Sequence, residues 1–235
     1  MISKTTAKKA FFITGTDTNV GKTLIAAGLL IAAKNKGLTT AALKPVAAGC
    51  EKTEAGLRNS DALLLQSVIT QSLAYEQINP YALESAIAPH IAAQQEKRSL
   101  SVDRLSGFCR GVLSSADFTL LEGAGGWRVP INARETLADL AKNLQLPVIM
   151  VVGIRLGCIN HALLTFEAIV RDGVPVAGWV ANCVDADMPV LQENIDSLRA
   201  RLPVPCLGVV PFLADQSPAV VATYFDETEL KKIIQ

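Results

Sequence analysis

The stretch AFFITGTDTNVGKTLIAAGLLIAAKNK, at residues 10–36, decides the fold of this chain. It begins with a short apolar run, passes through a loop that contains Gly15 and Gly21, and continues with apolar residues at helical spacing. A buried strand that leads through a glycine-containing loop into a helix is the first half of a βαβ unit. The stretch therefore predicts a parallel sheet with a binding loop at the carboxyl end of one strand.

The loop in this stretch has the composition of a P-loop. Gly21, Lys22 and Thr23 stand where the helix begins, so backbone N–H groups would cradle phosphate, Lys22 would reach the β- and γ-phosphates and Thr23 would ligate Mg²⁺. The glycine spacing is unusual, because Thr16 takes the place of the first glycine. The alternative is a chance Gly-Lys-Thr in a turn, and the flanking strand and helix argue against it.

The alternation of strands and helices continues along the chain. Strands are predicted at residues 10–14, 39–43, 118–121, 147–152, 176–181 and 206–210, and helices at 21–36, 100–115, 136–144, 160–172 and 189–202. This order predicts an α/β fold of the P-loop NTPase-like class, a doubly wound, mainly parallel β-sheet with helices on both faces. No linker or repeat divides the chain, so we expect a single domain over residues 1–235. Residues 50–95 have the least clear pattern and are a candidate rim of the site.

Composition excludes several classes of protein. The 22 Lys and Arg residues balance 22 Asp and Glu, so no net field attracts nucleic acid or an anionic membrane. The polar, basic residues 1–9 are followed by an apolar run too short for a signal sequence or a membrane span. Five cysteines without a Cys-x-x-Cys pair indicate buried thiols rather than disulfides or zinc ligands. We therefore expect a cytoplasmic protein with no nucleic-acid or membrane partner.

Three charged residues stand where parallel strands end or a helix begins. Lys44 directly follows the second strand and would neutralise a transferring phosphoryl group, unless it is only a solvated lysine at a strand end. Glu122 follows the strand at 118–121, where P-loop enzymes hold a metal ion directly or through water. Asp61 either adds a second carboxylate at the metal or caps the helix that follows, and the sequence alone favours the cap.

Weaker signals come from the later strands. Residues 157–161 open a helix after the strand at 147–152, and free N–H groups at such a helix start bind anions such as a carboxylate, although Asn160 is also an ordinary N-cap residue. Asn182 and residues 210–213 would line a base pocket or serve as turns. The two histidines, His90 and His161, lie in no nucleophile motif, so Ser/His/Asp and Cys/His chemistry lack support.

The motifs at residues 15–23, 44–46, 59–62, 122–126, 151–161 and 178–182 together resemble those of the dethiobiotin synthetases, in order from about residue 11 to 213. The resemblance implies a homodimer that uses ATP and Mg²⁺ to close 7,8-diaminononanoate with CO₂ or bicarbonate into dethiobiotin, through a phosphorylated carbamate. Two positions depart from the family: Ala48 stands where serine is frequent and Asn19 where glutamate is common. Both departures put in doubt the contacts that these positions would make to the diamine that accepts the phosphoryl group as its carbamate.

The same resemblance implies roles for individual residues. Lys22, Lys44 and Thr18 would be catalytic, and the Mg²⁺ ligands would be Thr23, Asp61 and Glu122. The residues expected to bind nucleotide are Asp17, Asn19, Val20, Gly21, Lys22, Thr23, Asn182, which would read the adenine edge, and Pro211. Those expected to bind the diamine are Lys44 and Gly125, with Cys158, Ile159 and Asn160 contributed by the neighbouring subunit.

Two other classes share parts of this pattern. ParA/MinD-like ATPases, which act as positioning switches, resemble the chain in fold but carry an extra lysine early in the P-loop, and residues 16–18 contain none. Their membrane-bound forms end in a basic amphipathic helix, whereas residues 225–235 have mixed charge. Amidotransferase-type cobyrinate synthases append a glutaminase domain, for which 235 residues leave no room.

Overall fold

All six predicted strands form in the computed structural model, which describes residues 8–234. The first seven residues and Gln235 lie outside the described residues. The expectation of no signal sequence rests largely on those first residues, so it also falls outside what the structure describes. In chain order the strands are β1 Lys9–Gly15, β2 Thr40–Leu43, β3 Val46–Ala47, β4 Glu51–Thr53, β5 Gly56–Arg58, β6 Tyr81–Ala82, β7 Phe118–Glu122, β8 Val148–Ile154, β9 Val176–Cys183 and β10 Cys206–Val210.

The helices that connect and cover these strands are mostly amphipathic or apolar. They are α1 Lys22–Asn35, α2 Ser60–Val68, α3 Tyr75–Ile78, α4 Pro89–Gln95, α5 Val102–Leu113, α6 Leu137–Asn143, α7 Cys158–Arg171, α8 Leu191–Arg201, α9 Pro218–Val221 and α10 Glu227–Ile234. Within residues 8–234, none of them combines the length and the apolar character that crossing a bilayer requires.

The main sheet brings the predicted chemistry to one edge. Its six parallel strands lie in the order β10-β9-β8-β1-β7-β2, so β1 has β7 on one side and β8 on the other. The chain leaves β1 toward β2 and later returns to the opposite side at β8, which makes the carboxyl end of β1 a topological switch point. Glu122 pairs in register with Ile13, and Leu43 with Leu121, so the P-loop, Lys44 and Glu122 meet at this end.

Each face of the sheet packs against its own layer of helices. Alternate residues of β1 point to opposite cores: Phe12 packs against Trp127 in one core, whereas Ile13 belongs to the other core with Leu29 of α1. This alternation is the period of two expected of a strand buried on both sides. The prediction of a doubly wound parallel sheet covered on both faces is confirmed.

The start of α2 differs from the prediction. Asn59, in extended conformation at φ −110°, caps the helix, because its side-chain oxygen accepts hydrogen bonds from the N–H groups of Asp61 (3.1 Å) and Ala62 (3.3 Å). The preference for Asp61 as the cap was therefore wrong. Asn59 lies directly before the first helical residue and intercepts the free N–H groups, and this leaves the carboxylate of Asp61 available to the site.

Two other regions differ from their expected boundaries. The helix expected at 160–172 begins already at Cys158, because Gly157 adopts φ 93° and permits the left-handed turn before it. The unclear stretch at 50–95 contains the antiparallel pair β4–β5, the strand β6, which pairs in parallel with β3 just before the stretch, and three helices. Its elements are short, which explains why no long periodic pattern marks them.

The C-terminal segment covers the edge strand β10. Gly208 forms an antiparallel bridge with Phe225, and Leu230, Ile233 and Ile234 of α10 are buried in the core that also holds α1. Covering an edge in this way blocks unwanted pairing with other chains. The apolar face of α10 is therefore used within the fold.

A pair of helical glycines tests this packing. A Cβ atom at Gly28 of α1 would lie 2.6 Å from Cγ1 of Val221, whereas a Cβ atom at Gly107 of α5 would meet nothing within 4 Å. We expect Gly28→Ala to lower the free energy of unfolding by about 1–3 kcal/mol through overpacking. Gly107→Ala should instead raise it by about 0.5–1 kcal/mol through helix propensity. Urea denaturation of both variants measures these changes, and equal effects would contradict the close α1–α9 contact.

Candidate active site

The P-loop is shaped by backbone that only glycine tolerates. Gly21 precedes α1 with φ 81°, and a Cβ atom there would lie 2.2 Å from the side-chain nitrogen of Asn182. That nitrogen donates a hydrogen bond of 2.9 Å to the carbonyl oxygen of Val20, so β9 supports the loop from the side. No side chain of the described residues caps α1. The N–H groups of its first turn are therefore left to an anionic ligand.

Lys22 is a buried cation at the start of α1. Its side chain is 7% exposed, and Nζ donates to the carbonyl oxygen of Asp17 at 3.2 Å. Burial, followed by the positive charge of Lys44, lowers the pKa of Lys22 to about 8. An ammonium group that is desolvated and bound to a backbone carbonyl gains strongly when a phosphate group arrives.

Lys44 lies between two carboxylates. Its Nζ atom donates to Oε1 of Glu122 at 2.5 Å, to Oδ2 of Asp61 at 3.0 Å and to the carbonyl oxygen of Gly123 at 3.2 Å. Burial disfavours the charge on Lys44, but the charges of Glu122 and Asp61 outweigh it and raise the pKa of this lysine. Burial also opposes the charge of Asp61, yet Lys44 holds the pKa of that carboxyl below its usual range. The alternative of a solvated lysine at a strand end was wrong, since Lys44 is buried.

The oxygen atoms around Glu122 fit a magnesium ion. The hydroxyl of Thr23 donates to Oε1 of Glu122 at 2.9 Å, and the carboxylate of Asp61 accepts from the same Lys44 ammonium group as Glu122. Oε2 of Glu122 is buried and has no hydrogen-bond partner among the described residues. Residues 8–234 contain no group of three or more His, Cys, Asp and Glu side chains that would hold a metal alone. Two carboxylates and a hydroxyl suit an ion that shares its ligands with phosphates.

Two adjoining cavities open at this edge of the sheet. The larger, about 900 Å³, is lined by nine of the predicted residues, Thr18, Asn19, Gly21, Lys22, Thr23, Lys44, Asp61, Glu122 and Gly125. The smaller, about 230 Å³, is lined by Asn182 and Pro211 and shares Asn19 and Gly21 with the larger. The fold therefore brings most of the predicted site together in one groove.

Five predicted residues lie away from this groove. Val20 is buried under the P-loop, and Asp17 forms an ion pair with Arg155. Cys158, Ile159 and Asn160 stand at the start of α7 and line neither cavity. In this chain alone, the helix start offers its N–H groups to the surface.

The sequence analysis missed several residues of the groove. Gln216 lines both cavities, and residues 86–89 together with Asn59 line the larger one. Arg155, the ion-pair partner of Asp17, lines neither cavity, but it had a usable signal in the sequence because it follows the predicted strand at 147–152 at the carboxyl edge of the sheet. Gln216 and residues 86–88 lie in irregular segments without periodicity, Pro89 is the first residue of the short helix α4, and only the tertiary fold brings them to the site.

Comparison with known proteins agrees with this geometry. Residues 9–220 match a family model described as AAA domain. The chain is 68% identical over 224 residues to the ATP-dependent dethiobiotin synthetase BioD of Cellvibrio japonicus (strain Ueda107), covering 95% of this chain and 98% of the relative. It is 62% identical over 218 residues to the enzyme of the same name from Pseudomonas paraeruginosa (strain DSM 24068 / PA7), covering 92% of this chain and 96% of that one.

Solved structures show the fold at lower identity. A ParA family ATPase from Chlorobium tepidum TLS has a TM-score of 0.54 at 15% identity and covers 97% of each chain. The MinC:MinD cell division protein complex of Aquifex aeolicus has a TM-score of 0.55 at 16% identity, covering 96% of this chain and 93% of that one. These matches confirm the P-loop NTPase-like fold. The near-complete match to the curated relatives decides the family: the chain belongs to the ATP-dependent dethiobiotin synthetases.

Proposed function

We propose that this chain converts 7,8-diaminononanoate, CO₂ and ATP into dethiobiotin, ADP and phosphate, and that the whole chain acts as one catalytic domain in the cytoplasm. The observation that carries the proposal is the pair of buried lysines, Lys22 and Lys44, that line one cavity beside Thr23 and Glu122. Two cations suit a reaction in which both a phosphoryl group and an anionic acceptor must be held together. The cysteines, all free thiols among the described residues, fit a reducing compartment.

The chemistry needs positioning rather than a nucleophilic side chain. One amine of the substrate adds to CO₂ to form a carbamate, whose oxygen accepts the γ-phosphoryl group while ADP leaves. The second amine then attacks the carbamoyl carbon, the C–O bond to phosphate breaks, and the ureido ring closes. Among the described residues, the lining of the larger cavity includes no His, Cys or Ser side chain. Orientation and charge stabilisation are what such a site supplies.

Each side chain of the groove has a role in this scheme. Lys22 and the first turn of α1 would bind the β- and γ-phosphates, and Lys44 would hold the carbamate oxygen that accepts the phosphoryl group. Thr18 lies close to Gly125, since its hydroxyl is 3.5 Å from the position that a Cβ atom of Gly125 would occupy, and it would orient the acceptor. Thr23, Asp61 and Glu122 would hold Mg²⁺, which neutralises phosphate charge when it is bound.

The smaller cavity suits the base of the nucleotide. Asn182 and Pro211 lie in its wall, and Asn19 and Gly21 connect it to the phosphate end. Because the side-chain nitrogen of Asn182 already donates to the Val20 carbonyl, the oxygen of the same amide is the atom we propose for reading the amino edge of adenine.

We also propose a homodimer in which α7 of one subunit completes the site of the other. Cys158, Ile159 and Asn160 line neither of the two cavities described above, and Leu156 just before them is 94% exposed. Leu164, further along α7, is also exposed. Apolar exposure beside free helix N–H groups fits a surface that a second subunit covers while its substrate carboxylate reaches the helix start.

A positioning switch of the ParA/MinD kind has less support. Residues 16–18 lack the additional lysine, and the apolar face of α10 is buried within the fold. A switch hydrolyses ATP with water as the acceptor, whereas a synthetase needs its amine substrate.

The two functions differ in what drives ADP release. With Mg-ATP and bicarbonate alone, we expect slow ADP formation, and 7,8-diaminononanoate should accelerate it strongly because the carbamate is the phosphoryl acceptor. A coupled ADP assay measures the rate, and mass spectrometry measures dethiobiotin in the same sample. A rate of ADP formation that is the same with and without the diamine would contradict the synthetase function and support the positioning switch.

Replacing Lys44 should affect catalysis and metal binding in opposite directions. Lys44→Met removes the cation that meets the acceptor, so turnover should fall about a hundredfold or more. The same change frees Glu122 and Asp61 from the ammonium that lies between them, so Mn²⁺ should bind the nucleotide-free protein about tenfold more tightly. Electron paramagnetic resonance measures free Mn²⁺.

Lys22→Met is the matched control for this experiment. It removes an equally buried charge from the same cavity, but its ammonium donates to a backbone carbonyl and not to the two carboxylates. An equal gain in Mn²⁺ affinity in both variants would mean that the gain comes from removing any positive charge from the cavity and not from freeing Glu122 and Asp61. Our assignment of the metal ligands would then lose its support.

The shared site predicts complementation between two inactive variants. Lys22→Ala and Asn160→Ala damage opposite halves of a composite site, so a mixed dimer has one site with both defects and one site with neither. Random pairing of equal amounts makes about half of the dimers mixed, and about a quarter of all sites should regain activity. Refolding the two proteins together, with native mass spectrometry to count mixed dimers, measures this recovery. No recovery despite mixed dimers would place both residues in the same chain's site.

A further inference from the structure

A chain of buried hydrogen bonds lies behind the site, in the stretch that the sequence left unclear. Tyr75, Asn79 and Asn59 are 6%, 2% and 6% exposed. The hydroxyl of Tyr75 accepts a hydrogen bond from the N–H group of Asn59 at 2.7 Å and donates one to Oδ1 of Asn79 at 3.0 Å. The side-chain nitrogen of Asn79 donates to the carbonyl oxygen of Lys44 at 2.7 Å. We call this set the Tyr75 relay.

The two ends of the relay hold the two sides of one ion pair. At one end, Asn59 caps α2 and thereby fixes the N–H group of Asp61. At the other end, the relay holds the backbone of Lys44, whose N–H group is also bound to Ile78 at 2.8 Å. The side chains of Lys44 and Asp61 meet at 3.0 Å. The separation between the two backbones therefore depends on a tyrosine hydroxyl and an asparagine amide.

We propose that Tyr75 and Asn79 are positioning residues, which set the spacing of Lys44 and Asp61 for phosphoryl transfer. The inference rests on the proposed function of Lys44 and Asp61 and adds two residues that line neither cavity. Ligands and catalytic groups depend on such supporting contacts for their orientation, and small displacements reduce rates strongly.

Packing alone does not explain the hydroxyl of Tyr75. The ring packs with Ala62 and Ile78, and a phenylalanine would fill the same space. The hydroxyl instead lies between a buried donor and a buried acceptor, both of which would be left unpaired without it. Arg58 covers the ring, with its guanidinium carbon 4.1 Å from the ring centroid, and so shields the relay from water.

The test compares Tyr75→Phe with Tyr81→Phe. Tyr81 is nearly buried in the same stretch, but its hydroxyl forms no hydrogen bond with the described residues, so it is a matched control. We expect Tyr75→Phe to lower kcat about tenfold to a hundredfold. It should weaken Mn²⁺ binding to the ADP complex about tenfold. The KM for ATP should change little, because the P-loop is not part of the relay. Tyr81→Phe should match the wild type in all three.

A double-mutant cycle separates a relay from two independent supports. Asn79→Leu removes the hydrogen-bond donor to the carbonyl oxygen of Lys44, so its kcat and Mn²⁺ affinity should resemble those of Tyr75→Phe. The double variant should have about the same kcat and Mn²⁺ affinity as the more impaired single variant, because both changes break the same chain of hydrogen bonds. If Asn79→Leu does not fold, the comparison of Tyr75→Phe with Tyr81→Phe is by itself the test of whether the Tyr75 hydroxyl positions the site.

The outcomes separate this inference from the proposed function. A wild type without diamine-dependent ADP release would overturn the function, whereas Mn²⁺ binding to the ADP complex reports on the relay even then. A Tyr75→Phe protein that is less heat-stable but keeps the kcat and Mn²⁺ affinity of Tyr81→Phe would show that the hydroxyl only supports the fold, and would overturn the inference.

Discussion

The charge pairing of Lys44 with Glu122 and Asp61 is the constraint on which the rest of the site depends. A buried ammonium group and a buried carboxylate are each costly, and they are tolerated only when their partners and remaining hydrogen bonds are supplied. Here the partners come from three separate parts of the chain: the end of β2, the end of β7 and the first turn of α2. The parallel sheet supplies two of them simply by ending its strands at one edge.

The third partner requires additional structure, and this explains the stretch between β2 and α5. Asp61 is 43% exposed in its side chain and lies on a short helix, not on a strand of the main sheet. The cap of Asn59 and the hydrogen bonds of Tyr75 and Asn79 tie that helix to the backbone of Lys44. The short strands β3 and β6, which look like irregular structure in the sequence, follow shortly after Lys44 and Asn79 and pair with each other, which adds a further connection between these two segments.

Much of this architecture could be predicted from the sequence, for a clear physical reason. The strands are buried on both faces and the longer helices on one, so hydrophobic periodicity marks them, and the P-loop residues must follow one of these strands directly. Lys44 and Glu122 were found because they come directly after predicted strands. The sequence alone wrongly favoured Asp61 as the helix cap, because a cap and a site carboxylate occupy the same kind of position, whereas the resemblance implied Asp61 as a metal ligand. Gln216, residues 86–89 and Tyr75 were missed, because their roles arise from contacts between segments that are distant in sequence.

The chain shares its fold with the ParA and MinD structures, so the fold alone does not determine which acceptor receives the phosphoryl group. The phosphate end of the groove is P-loop backbone, and other NTPases of this fold use it with other acceptors. The lining of the larger cavity also includes apolar side chains, among them Ala48, Leu64, Ile87 and Val129. Such side chains would suit the carbon chain of an aliphatic diamine, and in the function proposed above one amine, as the carbamate, would meet the ammonium of Lys44. Ala48 adds a methyl group and no polar atom to this lining, whose cations among the described residues are Lys22 and Lys44, so an anionic carbamate has these two ammonium groups to pair with.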